Sequence, residues 1–383
     1  MIMYSPIELV MVSDANNNKW YRMTDLDNST FKVEYGRVGG STATEIYPIH
    51  KWNSKYKEKL KKGYKDVSAL KIESKSGEYS FKGKGVDYFF NTLSKYTKDN
   101  VGKNYTIAVG SVTKAMLDEA QEILNHLIGL SDVQKFNKYL LELYTVLPRR
   151  MNNVKDYLVR NDKGLDKLIS KEQDVLDSLS SSVVTNVAET GQVFEDSFGI
   201  EMEEVDCPQS IKDLVTKTKS YGADIYKVYK VVHKTGQEKF DTWLKQQDNK
   251  NVELLFHGTR NPNVFSILKS GLLIRPTNAV SFAGSAYGDG VYHSAHFQKS
   301  LGYTGYDSDK IFFIQSVHMG KPYEYSGWYR DGKDIGRNEM NYPSLKKKGY
   351  DSLFVKPGDG LQNSEYIVYN AEQTVSSYLL WCR

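Results

Sequence analysis

The sequence predicts a multidomain α+β protein: a small antiparallel-sheet domain, then an all-helical bundle, then a mixed α+β domain with antiparallel sheets. The chain has 383 residues, which exceeds one ordinary domain of ~100 to 200 residues. Short β-rich runs, a stretch of helical periodicity and a second β-rich stretch follow one another along it. We therefore assign residues 1–105, 106–191 and 192–383 to three domains.

The first domain alternates short β-rich runs with polar turns and ends in a lysine-rich segment. The runs are Ile7 to Met11, Trp20 to Met23, Phe31 to Val38 and Thr44 to Tyr47, a pattern typical of a small antiparallel sheet. The segment HKWNSKYKEKLKKGYKD then predicts a helix whose lysines outnumber its two acidic residues. Such a charge run is typical of a solvated helix face, and a phosphate-rich partner is the alternative.

The second domain shows helical periodicity. Apolar residues recur at helical spacing from Met116 to Leu127, and Ser131 with Gln134 has the spacing of a capping box before a second helix. We predict a third helix around Val154 and a longer fourth that ends near Leu179. The following SSSVVTNVAETGQ is typical of a linker.

The third domain returns to β-rich runs. These are IYKVYKVV, VELLFHG, KIFFIQSVH, DSLFV, EYIVYN and SYLLW. After the second run, Asn261-Pro262 opens a short helix that Gly271 closes. No GxGxxG follows a strand, and the glycines of GSAYGDG have the wrong spacing for a phosphate loop. Any nucleotide binding therefore uses a fold other than a doubly wound one.

Composition excludes several classes of protein. A hydrophobic share of 40% and a charged share of 26% are typical of a globular chain. No stretch approaches the ~18 apolar residues of a membrane-spanning helix, so we expect no membrane partner. Two cysteines, Cys207 and Cys382, cannot build a disulfide framework or a four-cysteine zinc site. We expect a soluble, intracellular protein without a metal.

Three short segments of the third domain carry candidate chemistry. They are HGTR with His257, GDGVYHSAHFQKSLGY with Tyr292, and QNSEYIVY with Glu365. Each alone is typical of an ordinary structural residue. Together they resemble the poly(ADP-ribose) polymerase family of diphtheria-toxin-like ADP-ribosyltransferases, whose signature is a His, a Tyr and a Glu on separate strands. The preceding helical segment resembles the regulatory helical domain of the DNA-dependent members.

The first domain resembles the WGR domain, in which the name-giving tripeptide follows a strand. This chain reads Tyr35-Gly36-Arg37 and departs at the first residue, while Trp20 and the basic helix fit the domain. In the family this module contacts sugar and phosphate at DNA breaks. The resemblance implies a phosphate contact from Arg37, stacking by Tyr35, and counterion release by the lysines. The implied DNA-binding residues are Tyr35, Arg37, Lys51, Lys55, Lys59 and Lys62.

The resemblance also implies a reaction and its residues. NAD+ is the consumed substrate, no metal is needed, and the catalytic set is His257, Tyr292 and Glu365. Glu365 would stabilise positive charge on the ribose as nicotinamide leaves, by analogy with glycoside hydrolysis. The implied NAD+-binding residues are His257, Gly258, Arg275, Tyr287, Tyr292, Ser300 and Tyr303, with Tyr292 and Tyr303 around the nicotinamide ring.

Two positions depart from the pattern of polymerising members. Where those often carry an arginine on the strand after the HG helix, this chain has Leu273, and Arg275 lies two residues on, on the same strand face. Where they tend to have a methionine before the aromatic residue that precedes the tyrosine strand, this chain reads Ser285-Ala286-Tyr287. Chain elongation is therefore less firmly implied than transfer, although the retained Glu365 favours polymer.

The implied function is a DNA-dependent NAD+ ADP-ribosyltransferase that forms poly(ADP-ribose) on itself and on other proteins at DNA nicks or ends. Two alternatives stay open: a mono-ADP-ribosyltransferase of protein or nucleic-acid ends, and a catalytically silent DNA-binding scaffold. The expected location is the nucleus if the host is eukaryotic, and the cytoplasm if it is bacterial or viral.

Overall fold

The structure is a computed structural model that describes residues 4–68, 78–104, 112–186, 192–274, 286–327, 339–358 and 361–383. The described residues form two compact units. One is built from those before residue 77 together with 97–187, and the other from 77–96 together with those after 187. The first two predicted domains thus share one unit, and residues 77–96 pack with the third. The division at residues 105 and 191 stays a prediction about modules.

The N-terminal part of the first unit is a five-stranded antiparallel sheet in the order β4-β3-β2-β1-β5. Its strands are β1 Ile7–Ser13, β2 Asn17–Asp25, β3 Thr30–Arg37, β4 Thr42–Pro48 and β5 Lys65–Asp66. The lysine-rich segment forms helix α1, Trp52–Lys61. Trp52 is buried and packs edge-on against Phe31 of β3, which fixes α1 on that face of the sheet. The four predicted strands and the predicted helix are all present.

The rest of the first unit is helical. Its helices are α3 Lys114–Leu127, α4 Val133–Val146 and α5 Leu165–Asn186. Their apolar stripes form one core, and Val12 of β1 packs against it. Three predictions were wrong in detail. Residues 180–186 of the predicted linker continue helix α5. The predicted third helix is a single 3-10 turn, Val154–Tyr157, and α4 is capped by Asp132 rather than Ser131, because the Asp132 side chain accepts from Gln134 N and Lys135 N.

The second unit contains two sheets with flanking helices. The larger sheet has the order β6-β7-β14-β10-β8, and the smaller has the order β11-β12-β13-β9. All described pairs are antiparallel except β11 with β12. The strands are β6 Ile200–Val205, β7 Ile225–His233, β8 Val252–Gly258, β9 Val291–His293, β10 Lys310–His318, β11 Pro322–Ser326, β12 Ser352–Lys356, β13 Glu365–Val368 and β14 Thr374–Cys382.

Helices cover these sheets. They are α6 Phe194–Phe198, α7 Gln209–Thr218, α8 Lys234–Lys245, α9 Val264–Ser270, α10 Phe297–Leu301 and α11 Tyr342–Lys347. The predicted short helix is a 3-10 turn at Asn261–Asn263 that continues into α9 and ends at Gly271, whose φ is 71°. Helix α2, Val86–Asn104, was not predicted, and its Phe89 and Phe90 pack against Phe265 of α9. No helix in the described ranges has the length and apolarity needed to cross a membrane.

The two sheets meet where β8 approaches β9. Phe256 and Ser294 exchange two backbone hydrogen bonds of 2.8 and 3.0 Å, and together they form a short bridge between the sheets. Strand β9 in turn pairs with β13, with Ile367 opposite Tyr292. His257, Tyr292 and Glu365 therefore lie on three strands linked through this junction, which confirms the prediction of a His, a Tyr and a Glu on separate strands.

Candidate functional site

His257 stands near the end of β8 with one ring nitrogen already committed. Its Nδ1 lies 3.0 Å from the backbone oxygen of Tyr292. A carbonyl oxygen only accepts, so Nδ1 carries the proton and donates, which leaves the Nε2 lone pair as an acceptor. Burial lowers the pKa of His257, opposed only by that carbonyl. The imidazole is therefore neutral at pH 7 and presents one fixed acceptor.

Gly258 follows His257 and lets α10 approach the end of β8. A Cβ at this position would lie 2.1 Å from the backbone oxygen of Ser300. Only glycine fits so close an approach of two backbones. The backbones of Gly258 and Ser300 are therefore in close contact, and Ser300 itself is 2% exposed.

Glu365 opens β13 and forms an ion pair that sequence reasoning did not assign. Its Oε1 lies 2.5 Å from Nζ of Lys299 on α10, and both side chains are only 12% exposed. The Lys299 ammonium also donates to the backbone oxygen of Ser364, at 2.9 Å. The carboxylate is thus held by one charge-assisted hydrogen bond from a group that is itself fixed. The sequence feature that could have pointed to Lys299 is its position directly before Ser300 in the KS-x-x-Y segment.

Burial and the ion pair act in opposite directions on these two groups. Burial raises the pKa of Glu365, and the Lys299 charge and hydrogen bond lower it again, with burial the larger cause. Burial likewise lowers the pKa of Lys299, and Glu365 opposes the change. A carboxylate whose pKa is raised is a better proton acceptor than an exposed glutamate, which suits a group that must both hold charge and take up a proton.

The two candidate ring-stacking tyrosines differ in exposure. Tyr303 follows α10 and is 44% exposed, so one face is available to a ligand. Burial and the Glu365 charge both raise its pKa. Tyr292 is half-buried, and its hydroxyl faces the preceding turn, where it donates to Gly288 O at 2.8 Å and accepts from Tyr287 N at 2.9 Å. Contact with a ligand would therefore come from the ring of Tyr292 and not from its hydroxyl.

Tyr287 has a different place from the predicted NAD+ contact. Its side chain is 1% exposed, in a core with Tyr325, Met340, Ile367 and Tyr369, and its hydroxyl donates to Gly327 O at 2.7 Å. Its ring and its hydroxyl are therefore both committed to protein contacts. Arg275, the predicted adenine-side contact, lies outside the described residues.

Two of the predicted DNA-binding lysines lie over aromatic rings of the sheet, and the other two are exposed to solvent. The Lys59 ammonium lies 4.2 Å from the ring centroid of Tyr21, and burial lowers its pKa, helped by the neighbouring Lys62 charge. Lys55 lies 4.3 Å from the ring of Tyr47. Lys51 and Lys62 are exposed, and Lys62 pairs with Glu58 at 2.6 Å. The outer ends of α1 therefore offer the accessible charge.

Arg37 and Tyr35 already have protein partners. The Arg37 guanidinium donates to the backbone oxygens of Asn16, Met151 and Asn152 at 2.9–3.2 Å. The Tyr35 hydroxyl donates to Glu45 at 2.6 Å, and Lys59 lies over its ring at 5.7 Å. A phosphate contact by Arg37 would require it to leave these carbonyls, so its first observed role is to join β3 to the loop after α4.

Comparison with known proteins names the enzyme class. The family described as "Poly(ADP-ribose) polymerase catalytic domain" matches residues 203–383. The putative poly [ADP-ribose] polymerase-like protein 100L of Invertebrate iridescent virus 6 is 44% identical over 155 residues, which are 40% of this chain and 84% of that protein. Poly [ADP-ribose] polymerase 2 of Zea mays is 23% identical over 452 residues, 95% of this chain and 68% of that protein.

The site geometry agrees with these similarities. A neutral imidazole, a carboxylate fixed by Lys299 and an exposed tyrosine lie on or beside elements joined at one junction. The reaction of the family consumes NAD+ and transfers its ADP-ribose. The chain therefore belongs to the poly(ADP-ribose) polymerase family and is an NAD+ ADP-ribosyltransferase.

Proposed function

We propose that this enzyme forms poly(ADP-ribose) on itself and on other proteins when it binds DNA breaks. The catalytic part of this proposal rests on the buried Glu365–Lys299 pair. Lys299 directly precedes Ser300, and Glu365 lies on β13, which pairs with the strand of Tyr292. The pair supports a carboxylate that is charged, oriented and able to accept a proton.

The donors and acceptors of the site fit NAD+. His257 would accept a hydrogen bond from a ribose hydroxyl through Nε2, since Nδ1 is committed to Tyr292 O. The backbone of Gly258 and the hydroxyl of Ser300 would bind the carboxamide of nicotinamide. The rings of Tyr303 and Tyr292 would enclose the nicotinamide, whose positive charge favours an aromatic face. These contacts bind and orient the substrate, and the chemistry is left to Glu365.

The reaction breaks the bond between the ribose C1 carbon and the nicotinamide nitrogen. Nicotinamide leaves as a neutral molecule with the bonding electron pair, so positive charge develops on the ribose. The Glu365 carboxylate stabilises that charge, as the carboxylates of glycoside hydrolases do. An acceptor oxygen then forms the new bond to C1 and gives its proton to Glu365. Lys299 keeps the carboxylate in place throughout this sequence.

Polymer formation is favoured over single transfer by Glu365 itself. Members of the family that lack this glutamate are typically mono-transferases or inactive. The acceptor side supports polymer formation less strongly, because Ala286 stands where polymerising members tend to carry a methionine before the aromatic residue, which is Tyr287 here. Mono-ADP-ribosylation of protein or of a nucleic-acid end is the second candidate, favoured by that departure.

DNA dependence is supported by the N-terminal part of the chain. The similarity to the Zea mays enzyme extends over 95% of the chain, and so beyond the catalytic domain. Exposed lysines at both ends of α1 provide the charge that phosphate binding needs. We expect the enzyme to act where broken DNA is found: in the nucleus if the host is eukaryotic, and in the cytoplasm if it is bacterial or viral.

Labelled NAD+ tests the whole proposal in one experiment. The full chain is incubated with label, with and without nicked or blunt DNA, and the products are separated by gel. A ladder of labelled protein that strengthens with DNA is expected. Discrete bands without a ladder would indicate mono-transfer, an unchanged ladder without DNA would refute DNA dependence, and DNA binding without NAD+ consumption would leave only a scaffold.

A further inference from the structure

The turn at residues 286–290 leads into the tyrosine strand and is tied to it by a side chain. The Tyr292 hydroxyl donates to Gly288 O at 2.8 Å and accepts from Tyr287 N at 2.9 Å. Gly288 has φ 87°, which the turn requires and which other residues rarely adopt. The tip of the Tyr292 ring is thus fixed to the turn, so the position of the turn sets the position of the ring.

Two further tyrosines hold the same turn from behind. The Tyr369 hydroxyl donates to the backbone oxygen of Tyr287, and the Tyr287 hydroxyl donates to Gly327 O. Both side chains are buried, at 8% and 1% exposure. Tyr369 directly follows β13, four residues after Glu365. The strand that presents Glu365 therefore also anchors the turn that fixes Tyr292.

Packing leaves this turn little room to relax. A Cβ at Gly288 would lie 2.5 Å from the backbone oxygen of Met340, and a Cβ at Gly290 would lie 2.6 Å from Cγ2 of Ile367. Burial also raises the pKa of both Tyr287 and Tyr369, so their hydroxyls remain neutral donors at any working pH. Each hydroxyl donates to a backbone oxygen within this core, that of Tyr369 to Tyr287 O and that of Tyr287 to Gly327 O.

We propose that Tyr287 and Tyr369 are positioning residues of the NAD+ site, which hold the 286–290 turn and so fix the ring of Tyr292 relative to Glu365. Neither touches the substrate; both act through Tyr292. The inference rests on the proposed placement of nicotinamide beside Tyr292. It assigns Tyr287 a purpose in place of the predicted NAD+ contact, and it adds Tyr369, which no sequence motif had marked.

Tyrosine-to-phenylalanine variants test the hydroxyls without changing the packing. In Tyr369→Phe and Tyr287→Phe, KM for NAD+ and Kd for benzamide, measured by calorimetry, should rise roughly 5- to 10-fold, the effect of a buried acceptor losing its donor. The value of kcat should change less than about two-fold, because the substrate and the transition state lose the same amount of binding free energy. Amide exchange at residues 286–292 should become faster.

A matched control separates positioning from general stability. Tyr229 is also fully buried in the second unit and donates its hydroxyl to a backbone oxygen, that of Gly85, at 3.2 Å. Tyr229→Phe should leave KM and benzamide affinity unchanged. The double variant Tyr287→Phe with Tyr369→Phe should be less than additive in benzamide affinity, because both hydroxyls act through one turn.

The outcomes distinguish this inference from the placement on which it rests. If Tyr292→Ala leaves benzamide affinity unchanged, the placement is wrong and the inference falls with it. If Tyr292→Ala weakens benzamide binding while both phenylalanine variants bind normally, with normal exchange at 286–292, only the positioning role is refuted. If KM rose equally in Tyr229→Phe, a general loss of stability would explain the increase, and the positioning role would be refuted.

Discussion

At the level of single residues, Glu365 and Lys299 form a pair in which neither charge is well solvated. Taking each from water costs free energy, and the short contact between them offsets part of that cost. The two groups must therefore be treated as one titrating unit with shared apparent pKa values. The consequence is that a change at either residue alters the charge state of the other.

Replacing Glu365 by glutamine keeps the shape of the side chain and removes its charge. Transfer should fall by roughly 10²-fold or more, the usual cost of losing one preorganised electrostatic group, while benzamide binding changes little. The measurement is NAD+ turnover together with benzamide calorimetry. Glu324→Gln is the control, since Glu324 pairs with Lys356 on neighbouring strands of the same sheet but is exposed. Near-normal turnover in Glu365→Gln would remove this residue from the mechanism.

The pH profile should report the same pair. Glu365 must be ionised, and burial raises its pKa, so the acid limb of kcat/KM should lie above the ordinary pKa of glutamate. In Lys299→Met the opposing charge is gone and burial acts alone, so the pKa of Glu365 rises further and the limb moves to higher pH. Lys356→Met is the control and should leave the limb in place. A limb that stays or moves to lower pH in Lys299→Met would contradict this assignment.

At the level of the element, α5 is attached to the loop after α4 by a second buried ion pair. Arg149 and Glu172 lie 2.5 Å apart with side chains 7% and 3% exposed, and Arg149 also stacks 4.4 Å from the Tyr144 ring. Breaking such a pair is more costly than replacing it, because a buried charge loses its counter-ion. The stability of α5 should therefore depend on both residues together.

A double-mutant cycle tests this dependence. Glu172→Leu should lower the opening free energy of α5 by about 3–5 kcal/mol, and adding Arg149→Met should restore most of it. Native-state amide exchange of α5 in the full chain is the measurement. Asp118→Leu, which breaks the exposed Lys114–Asp118 pair on α3, should cost less than about 0.5 kcal/mol. Additive effects of the two buried substitutions would show that the ions stabilise α5 independently.

Elements with a strong apolar period were predictable from sequence, and those defined by tertiary contacts were not. The stripe from Met116 to Leu127 gave α3 correctly, because one face of that helix is buried in a core of its own. Helix α2 also carries Val86, Phe89, Phe90 and Leu93 at helical spacing, so its sequence has a helical period although no helix was predicted there. Around Val154 the chain makes only one 3-10 turn, and its Val154 N donates to the Asn16 side chain between β1 and β2.

The site shows the same division. The placement of His257, Tyr292 and Glu365 on separate strands was predictable, because each lies in a short motif whose neighbours along the chain define it. The Glu365–Lys299 pair and the burial of Tyr287 depend on which strands and helices come together, and no local pattern encodes that. Arg37 was predicted as a phosphate ligand from its tripeptide, yet its donors face carbonyls more than a hundred residues away in sequence.

At the level of the whole molecule, the N-terminal sheet and the helices form one unit joined at the loop of residues 149–154. Asn18 donates its side-chain amide to Arg149 O at 2.8 Å, and Asn16 accepts from Val154 N at 3.1 Å. Arg37 adds donors to Met151 O and Asn152 O. Arg149 also forms an ion pair with Glu172 on α5. A movement of the N-terminal sheet would therefore be transmitted to α5 through these contacts.

DNA binding and DNA activation should therefore separate by mutation. Lys51→Gln with Lys62→Gln should weaken binding to nicked DNA and flatten its salt dependence by about one unit of slope per lost phosphate contact, while saturating DNA still activates.

Arg37→Ala should instead retain most of the DNA affinity but lose activation even at saturation, because its donors connect β3 to the loop and coupling needs a difference between two states. Arg22→Ala, an exposed arginine on β2 paired with Glu8, is the control for charge alone. The opposite result would be weaker DNA binding with a shallower salt dependence, together with full activation at saturating DNA. Arg37 would then be a phosphate ligand, and its contacts to the loop would only stabilise the fold.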